Sequence, residues 1–381
     1  MSTVYQSVSE ADIEAVVRVL RSDRLTQGPE VPAFEKSVTH EFGSRYAVAV
    51  NSATSALHIA CLALGVGPGD TVWTSPTTFV ASANCARYCG ADVDFVDINP
   101  KTWCLCVDRL EEKLKSHVED GLSMPKVVIP VHLAGQSCDM EKIAQLAHNY
   151  GFYIIEDASH AMGGTYRGST IGSCRYGDIT IFSFHPVKII TTGEGGMALT
   201  NNPELHQRMA CLRTHGITRD TQHMTCVPDG AWYYEQHLLG FNYRMTEMQG
   251  ALGCSQLQRL REFVVRRNEI AQRYDEDLST LPVQRQYLPQ GVYSARHLYI
   301  IRVNGEQHSR LFDILRSKGI DVNLHYIPVH LQPYYRNLGF SIGQFPEAET
   351  YGQEAISLPL YFSMDIEQQR IVVETLKQVL E

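Results

Sequence analysis

What the 381-residue chain lacks narrows its roles before any motif is read. Excess positive charge is missing: 33 Lys and Arg against 42 Asp and Glu give a formal net charge of -9. That balance argues against nucleic acid or an anionic membrane surface as the main partner, since both need a basic field, while a local basic pocket for a small anion stays compatible with it. No apolar run reaches membrane-spanning length, and the opening MSTVYQSVSEADIEAVV has no basic region followed by an apolar stretch. Neither a membrane span nor a secretory signal is therefore expected, and the cytoplasm is the expected location. Low-complexity tracts, long proline or glycine runs and internal repeats of fixed period are also missing. Cysteine is present as ten scattered residues without the paired CxxC spacing of a zinc site, so buried reduced thiols are expected and no metal.

What is there describes a large globular protein. With 44% hydrophobic and 20% charged residues the chain can bury a sizeable core, and its length exceeds what one core usually supports. SEADIEAVVRVLRSD reads as an amphipathic helix capped by Ser9, with Ile13, Val16, Val17 and Leu20 on one face. YAVAVNSATSALHIACLALG gives a strand, a small-residue turn and a helix. TVWTSPTTF, ADVDFVDI, PKVVIPVHLAG, GFYIIEDASHA and DITIFSF follow as apolar runs of strand length, mostly separated by helical stretches such as DMEKIAQLAHNYG. Apolar runs without polar alternation suit strands buried on both faces of a mainly parallel sheet, so an α/β domain is expected over residues 1–255. From 256 the texture changes. QLQRLREFVVRRNEIAQRYDEDL reads as a long charged helix leading to a smaller α+β domain over 256–381, with HLYIIRV a strand, SRLFDILRSKGI a helix and a last helix near EQQRIVVETLKQVL.

Ligands of open α/β sheets bind beyond the carboxyl ends of the strands, so the residues just after each apolar run are the candidates for chemistry. In NSATSAL, Asn51 to Leu57, small residues at a helix start would let backbone N–H groups approach a phosphate; an ordinary Ser/Thr helix cap is the plainer alternative. GVGPGD offers spaced glycines but follows a helix and precedes a strand, and reads as a turn. IIEDASHA ends a strand at Asp157, with His160 three residues on; the carboxylate could pair with a protonated ring nitrogen, and a metal is disfavoured for want of further ligands. SFHPVK sets Ser183 and His185 ahead of Lys188, which is either a solvated surface charge or, if desolvated, a nucleophile towards carbonyls. The glycines at 193, 195 and 196 would let the chain pass close to a ligand. GFNYRMTEMQGALG carries Asn242, Tyr243 and Arg244, which by themselves read as surface residues.

Taken in order and spacing, NSATSAL, the TTFVA after TVWTSP, VHLAGQSCDM, IIEDASHA, SFHPVK with GEGG, and GFNYRMTEMQGALG resemble the DegT/StrS-type family of sugar-nucleotide aminotransferases over almost the whole chain. The resemblance implies an aspartate-aminotransferase-like fold (pyridoxal-phosphate fold type I) with a mainly parallel seven-stranded sheet, and pyridoxal 5'-phosphate as cofactor. It implies that Lys188 binds the cofactor covalently and shuttles the proton, that Asp157 pairs with the pyridinium nitrogen, that Phe79 stacks on the ring, and that His160 meets its phenolic oxygen. Ala53, Thr54 and Ser183 fall on the phosphate cradle, with Asn242 reaching it from a second subunit, so a homodimer with a shared active site is implied. Ala53 stands where many members have glycine, a change that leaves backbone donation intact. A dehydratase branch carries histidine at the lysine position; lysine at 188 implies transamination. The wording of LTQGP, NSATSAL, SHA and SFHPVK is most similar to the branch that aminates C4 of a UDP-linked 4-keto-6-deoxy-N-acetylhexosamine from L-glutamate in pseudaminic acid synthesis. By that likeness Tyr5, Arg24, Leu25, Thr26, Gln27, His185, Leu324, His325, Tyr326 and Ile327 would line the sugar-nucleotide site. Alternatives are another nucleotide-linked keto sugar, of perosamine or aminoarabinose type, and a non-catalytic sugar-nucleotide-binding paralogue.

Overall fold

The computed structural model describes residues 6–380. Its centre is a seven-stranded sheet built from β1 (Tyr46–Val50), β2 (Thr71–Thr74), β3 (Asp92–Phe95), β4 (Val127–Ile129), β5 (Tyr153–Asp157), β6 (Ile179–Ser183) and β7 (Gly196–Thr200), in the order β1-β7-β6-β5-β4-β2-β3. Only β7 runs against the other six. The inner strands β4 and β6 are buried at every position, as near-continuous apolar runs predict for a sheet covered on both faces. One strand escaped the sequence reading: β7 begins inside the glycine turn, which masks MALT as part of a loop.

Helices cover both faces. α1 (Glu10–Leu20) and α2 (Glu30–Phe42) precede β1; α3 (Ala53–Ala63), α4 (Ala81–Tyr88), α5 (Val107–Glu119), α6 (Met140–Tyr150) and α7 (Pro203–Arg213) lie between or after strands. α1 departs from expectation. Ser9 does cap it, through a reciprocal bond with Asp12, but the buried face is Asp12, Ala15 and Val19, while Ile13 and Leu20 are 48% and 55% exposed. The reason is polar: the Asp12 carboxylate is drawn inward to accept from Gln256 Nε2 at 2.7 Å, which turns the apolar stripe outward.

The predicted long charged helix is α9 (Leu260–Asp277), which starts four residues later than expected because the turn at Gln258–Arg259 separates it from the preceding helix α8 (Glu247–Leu257). α8 packs on α2 so closely that a Cβ at Gly253 would stand 2.6 Å from the Phe34 ring. α9 adds Ile270, Ala271 and Tyr274 to a separate core that also takes residues from 278 to 376. There the strands Tyr299–Arg302 and Ala355–Leu358 pair antiparallel, flanked by the helices Gly305–Ser317 and Ile366–Leu380. Among the described residues no helix is long and apolar enough to cross a membrane.

Candidate active site

The carboxyl ends of β1, β5 and β6 and the start of β7 meet at one edge of the sheet, and a cavity of about 760 Å3 opens there. Its deepest chemistry comes from backbone geometry. Ser52 caps α3 by accepting from Ser55 N at 3.1 Å, which leaves the N–H groups of Ala53 and Thr54 without helical partners at the positive end of the helix. The Ser183 hydroxyl, at the end of β6, has no hydrogen-bond partner among the described residues and lines the same wall. Gly196 lets β7 approach this turn: a Cβ there would lie 2.4 Å from Ala53 N. Two free N–H groups, a helix end and a free hydroxyl form a cradle for a phosphate.

Opposite the cradle stands a lysine without a partner. Among the described residues the Lys188 amine has no hydrogen-bond or ion-pair partner, and desolvation lowers its pKa to about 8, with Asp157 acting the other way. Asp157 is buried at the end of β5; its Oδ2 accepts from Ser82 Oγ at 2.6 Å and its Oδ1 from Ser159 N at 3.1 Å. Phe79 projects a half-exposed ring into the cavity wall. A lone amine for an aldehyde, a carboxylate for a cationic ring nitrogen, an aromatic face and a phosphate cradle are the donor set that pyridoxal phosphate requires, and all four sit on one cavity.

His160 is engaged on both ring nitrogens. Ala134 N donates to Nδ1 at 3.3 Å, so the ring proton belongs on Nε2, which donates to the Tyr326 hydroxyl at 3.0 Å. The donor left free is the Tyr326 O–H itself. Burial, with the charges of Lys188 and His325 nearby, keeps the His160 pKa well below its ordinary value. His325 bonds Ser357 Oγ through Nδ1 at 2.8 Å, and burial brings it down to about 4, so both imidazoles are neutral near pH 7.

The cavity thus gathers Ala53, Thr54, Phe79, Asp157, His160, Ser183, His185, Lys188, Leu324, His325 and Tyr326. A single chain does not bring Asn242, Ile327 or Arg24 to Gln27 onto it. The Asn242 backbone bridges Thr214, Ile327 is 54% exposed, and the segment around Leu25 is fastened elsewhere by Glu247, whose N donates to Leu25 O and whose Oε2 accepts from Glu30 N. Tyr5 lies outside the described residues. Residues that the motifs had not singled out also reach the cavity, among them Thr78, Ser159, Glu194 and Asn323. Glu194 was hidden inside the glycine turn, and its carboxylate stands 3.8 Å from His185 Nε2. Among the described residues no group of three or more His, Cys, Asp or Glu is arranged to hold a metal.

Comparison with known proteins gives this geometry a context. Residues 6–377 match the model of the DegT/DnrJ/EryC1/StrS aminotransferase family. The spore coat polysaccharide biosynthesis protein SpsC of Bacillus subtilis is 37% identical over 381 residues, covering 98% of this chain and 95% of the relative. The UDP-4-amino-4,6-dideoxy-N-acetyl-beta-L-altrosamine transaminase of Campylobacter jejuni is 36% identical over 386 residues, covering 99% of this chain and 96% of the relative. Among solved structures, the PLP form of Spr1654 from Streptococcus pneumoniae superposes with a TM-score of 0.89 at 32% identity, covering 100% of this chain and 98% of that one.

Proposed function

The chain belongs to the DegT/DnrJ/EryC1/StrS aminotransferase family and is a pyridoxal-phosphate-dependent sugar aminotransferase, and from that premise we propose that it moves the amino group of L-glutamate to the C4 keto carbon of a UDP-linked 4-keto-6-deoxy-N-acetylhexosamine. The observation that carries the catalytic part is the unpartnered Lys188 amine, lowered to about 8, on the same cavity as the buried Asp157. The likeness to the altrosamine transaminase supports the choice of sugar and its place in pseudaminic acid synthesis.

The residues divide the work by their chemistry. The N–H groups of Ala53 and Thr54 and the Ser183 hydroxyl hold the phosphate, Asp157 pairs with the ring nitrogen, and Phe79 covers the ring face. When bound, the cofactor supplies an electron sink for the substrate carbon. The Lys188 amine would hold the cofactor covalently, and its nitrogen would move the proton to and from the substrate carbon; an amine with a pKa of about 8 has a substantial free-base fraction for that task near neutral pH. Tyr326 offers its free O–H, and His185 and Leu324 extend the wall on which the sugar nucleotide would lie.

The working enzyme in this reading is a cytoplasmic homodimer of two-domain subunits, 1–255 and 256–381, with each site completed by the partner. Asn242 and the segment Arg24–Gln27 lie off their own cavity, which supports a role across an interface. Exposed apolar groups on the excursion between 218 and 240, with Val227 91%, Trp232 73% and Leu239 85% exposed, support a surface that a second copy covers.

Turnover of a panel of UDP-, GDP- and dTDP-linked keto sugars with L-glutamate tests the substrate. The UDP-linked 4-keto-6-deoxy-N-acetylhexosamine is expected to be aminated fastest. Faster amination of a GDP- or dTDP-linked sugar contradicts the choice.

A further inference from the structure

Asp157 is the buried carboxylate of the cavity, and its orientation is not left to the cofactor. A chain of two hydroxyls reaches it from behind. Ser82 Oγ stands 2.6 Å from Asp157 Oδ2, and Thr78 Oγ1 stands 2.9 Å from Ser82 Oγ. Both hydroxyl residues are buried, Ser82 at 0% and Thr78 at 2% exposed. The protons can be assigned by elimination. A carboxylate accepts only, so the single Ser82 proton points to Asp157; the Thr78 proton must then point to Ser82. The chain runs one way, from Thr78 to Ser82 to Asp157, with Ser159 N–H on the other carboxylate oxygen.

A serine in the first turn of a helix ordinarily bonds its own backbone or water. Here Ser82 sits in the first turn of α4 and bonds a residue 75 positions away on β5 instead. The same turn carries Phe79. One short segment, Thr78 to Ser82, therefore presents the exposed ring on the cavity and grips the carboxylate beneath it.

We propose that Ser82, backed by Thr78, is a positioning residue: it locks the Asp157 carboxylate in the orientation that faces the cofactor's ring nitrogen and ties that orientation to the placement of Phe79. The proposal rests on the pyridoxal-phosphate reading of the site. Each oxygen of Asp157 has one fixed donor inside the protein, so the carboxylate cannot rotate to follow a ligand, and the remaining lone pairs are presented to the cavity. Without the Ser82 donor the carboxylate is free to swing, the positive charge it holds at the ring nitrogen is less secure, and the nitrogen of Lys188 that binds the cofactor becomes more basic.

The test uses the holoenzyme, Ser82→Ala, Thr78→Val and Ser82→Thr. The visible absorbance of bound pyridoxal phosphate is titrated with pH, and the single-turnover rate with L-glutamate is measured alongside the melting temperature of the cofactor-free protein. For Ser82→Ala the absorbance midpoint is expected to move upward and the glutamate rate to fall roughly ten- to hundredfold, the size of one lost hydrogen bond to a charged group, with the melting temperature little changed. Ser82→Thr is expected to restore the midpoint, and Thr78→Val to move it the same way by less. A midpoint and rate in Ser82→Ala equal to wild type overturn the proposal while leaving the cofactor reading intact. If Ser82→Ala does not fold, an unmoved midpoint in Thr78→Val overturns it instead. A wild-type protein that gives no visible band with pyridoxal phosphate overturns the cofactor reading and the proposal with it.

Discussion

At the residue scale the chemistry depends on one amine being free of partners. Lysine ordinarily titrates near 10.5; Lys188 is half-buried, the protein around it disfavours the charged form more than Asp157 favours it, and the pKa falls to about 8. Capture of pyridoxal phosphate by the cofactor-free protein is therefore expected to speed up with pH as far as about 8 and then flatten, since only the uncharged amine reacts. A lysine at its ordinary value would keep gaining beyond pH 10, and stopped-flow absorbance distinguishes the two. His160 and His325 are both pushed down by burial, so neither adds a titration between pH 6 and 8 to that profile. Lys188→Ala should abolish both capture and amino transfer. The motif SFHPVK identified the residue, but its neighbours in sequence hold no clue to its desolvation. That comes from β5, α3 and the 323–326 segment, which fold over it.

At the scale of elements, the N-terminus of α3 is useful because β7 presses against it. Gly196→Ala would place a methyl 2.4 Å from Ala53 N and 2.5 Å from the Ser52 carbonyl carbon, backbone atoms that have little room to yield. Overpacking of this kind costs about 1–3 kcal/mol. The expected outcome is a lower melting temperature together with weaker cofactor binding, measured by equilibrium dialysis; unchanged binding would mean that the α3 turn is not the phosphate site. The strand-helix alternation was legible because inner strands such as β4 and β6 are buried at every position and mostly apolar. β7 was not, because glycines serve it as a close-approach device and look like loop residues in sequence. α1 shows another limit. Periodicity located the helix and Ser9 located its start, but the buried side was decided by a hydrogen bond from Gln256 to Asp12, 244 residues apart in the chain. His160 gives the same lesson in the site, since its two ring nitrogens are claimed by Ala134 and by Tyr326, contacts that no local motif encodes.

At the scale of the whole molecule, one chain assembles most of a site and leaves some expected members outside it. Asn242 is the clearest, because the family resemblance implies that it reaches a phosphate while its own cavity does not include it. In a dimer with an isologous interface, Lys188→Ala and Asn242→Ala chains damage different halves of each shared site, so co-expressed hybrids regain one intact site in two, and a statistical mixture should recover about a quarter of wild-type turnover if each variant alone is inactive. Recovery of nothing beyond the sum of the separate variants would contradict shared sites. Trp232→Asp combined with Leu239→Asp should shift the protein towards monomer in sedimentation velocity, as both side chains are largely exposed on one chain and are not needed for its core. The claim on which everything else rests is that Lys188 is the residue the cofactor binds. Borohydride reduction of the holoenzyme, followed by digestion and mass spectrometry, tests it directly: the account predicts a single pyridoxyl-phosphate mass on the peptide containing Lys188, and a label on another lysine, or none, would contradict it.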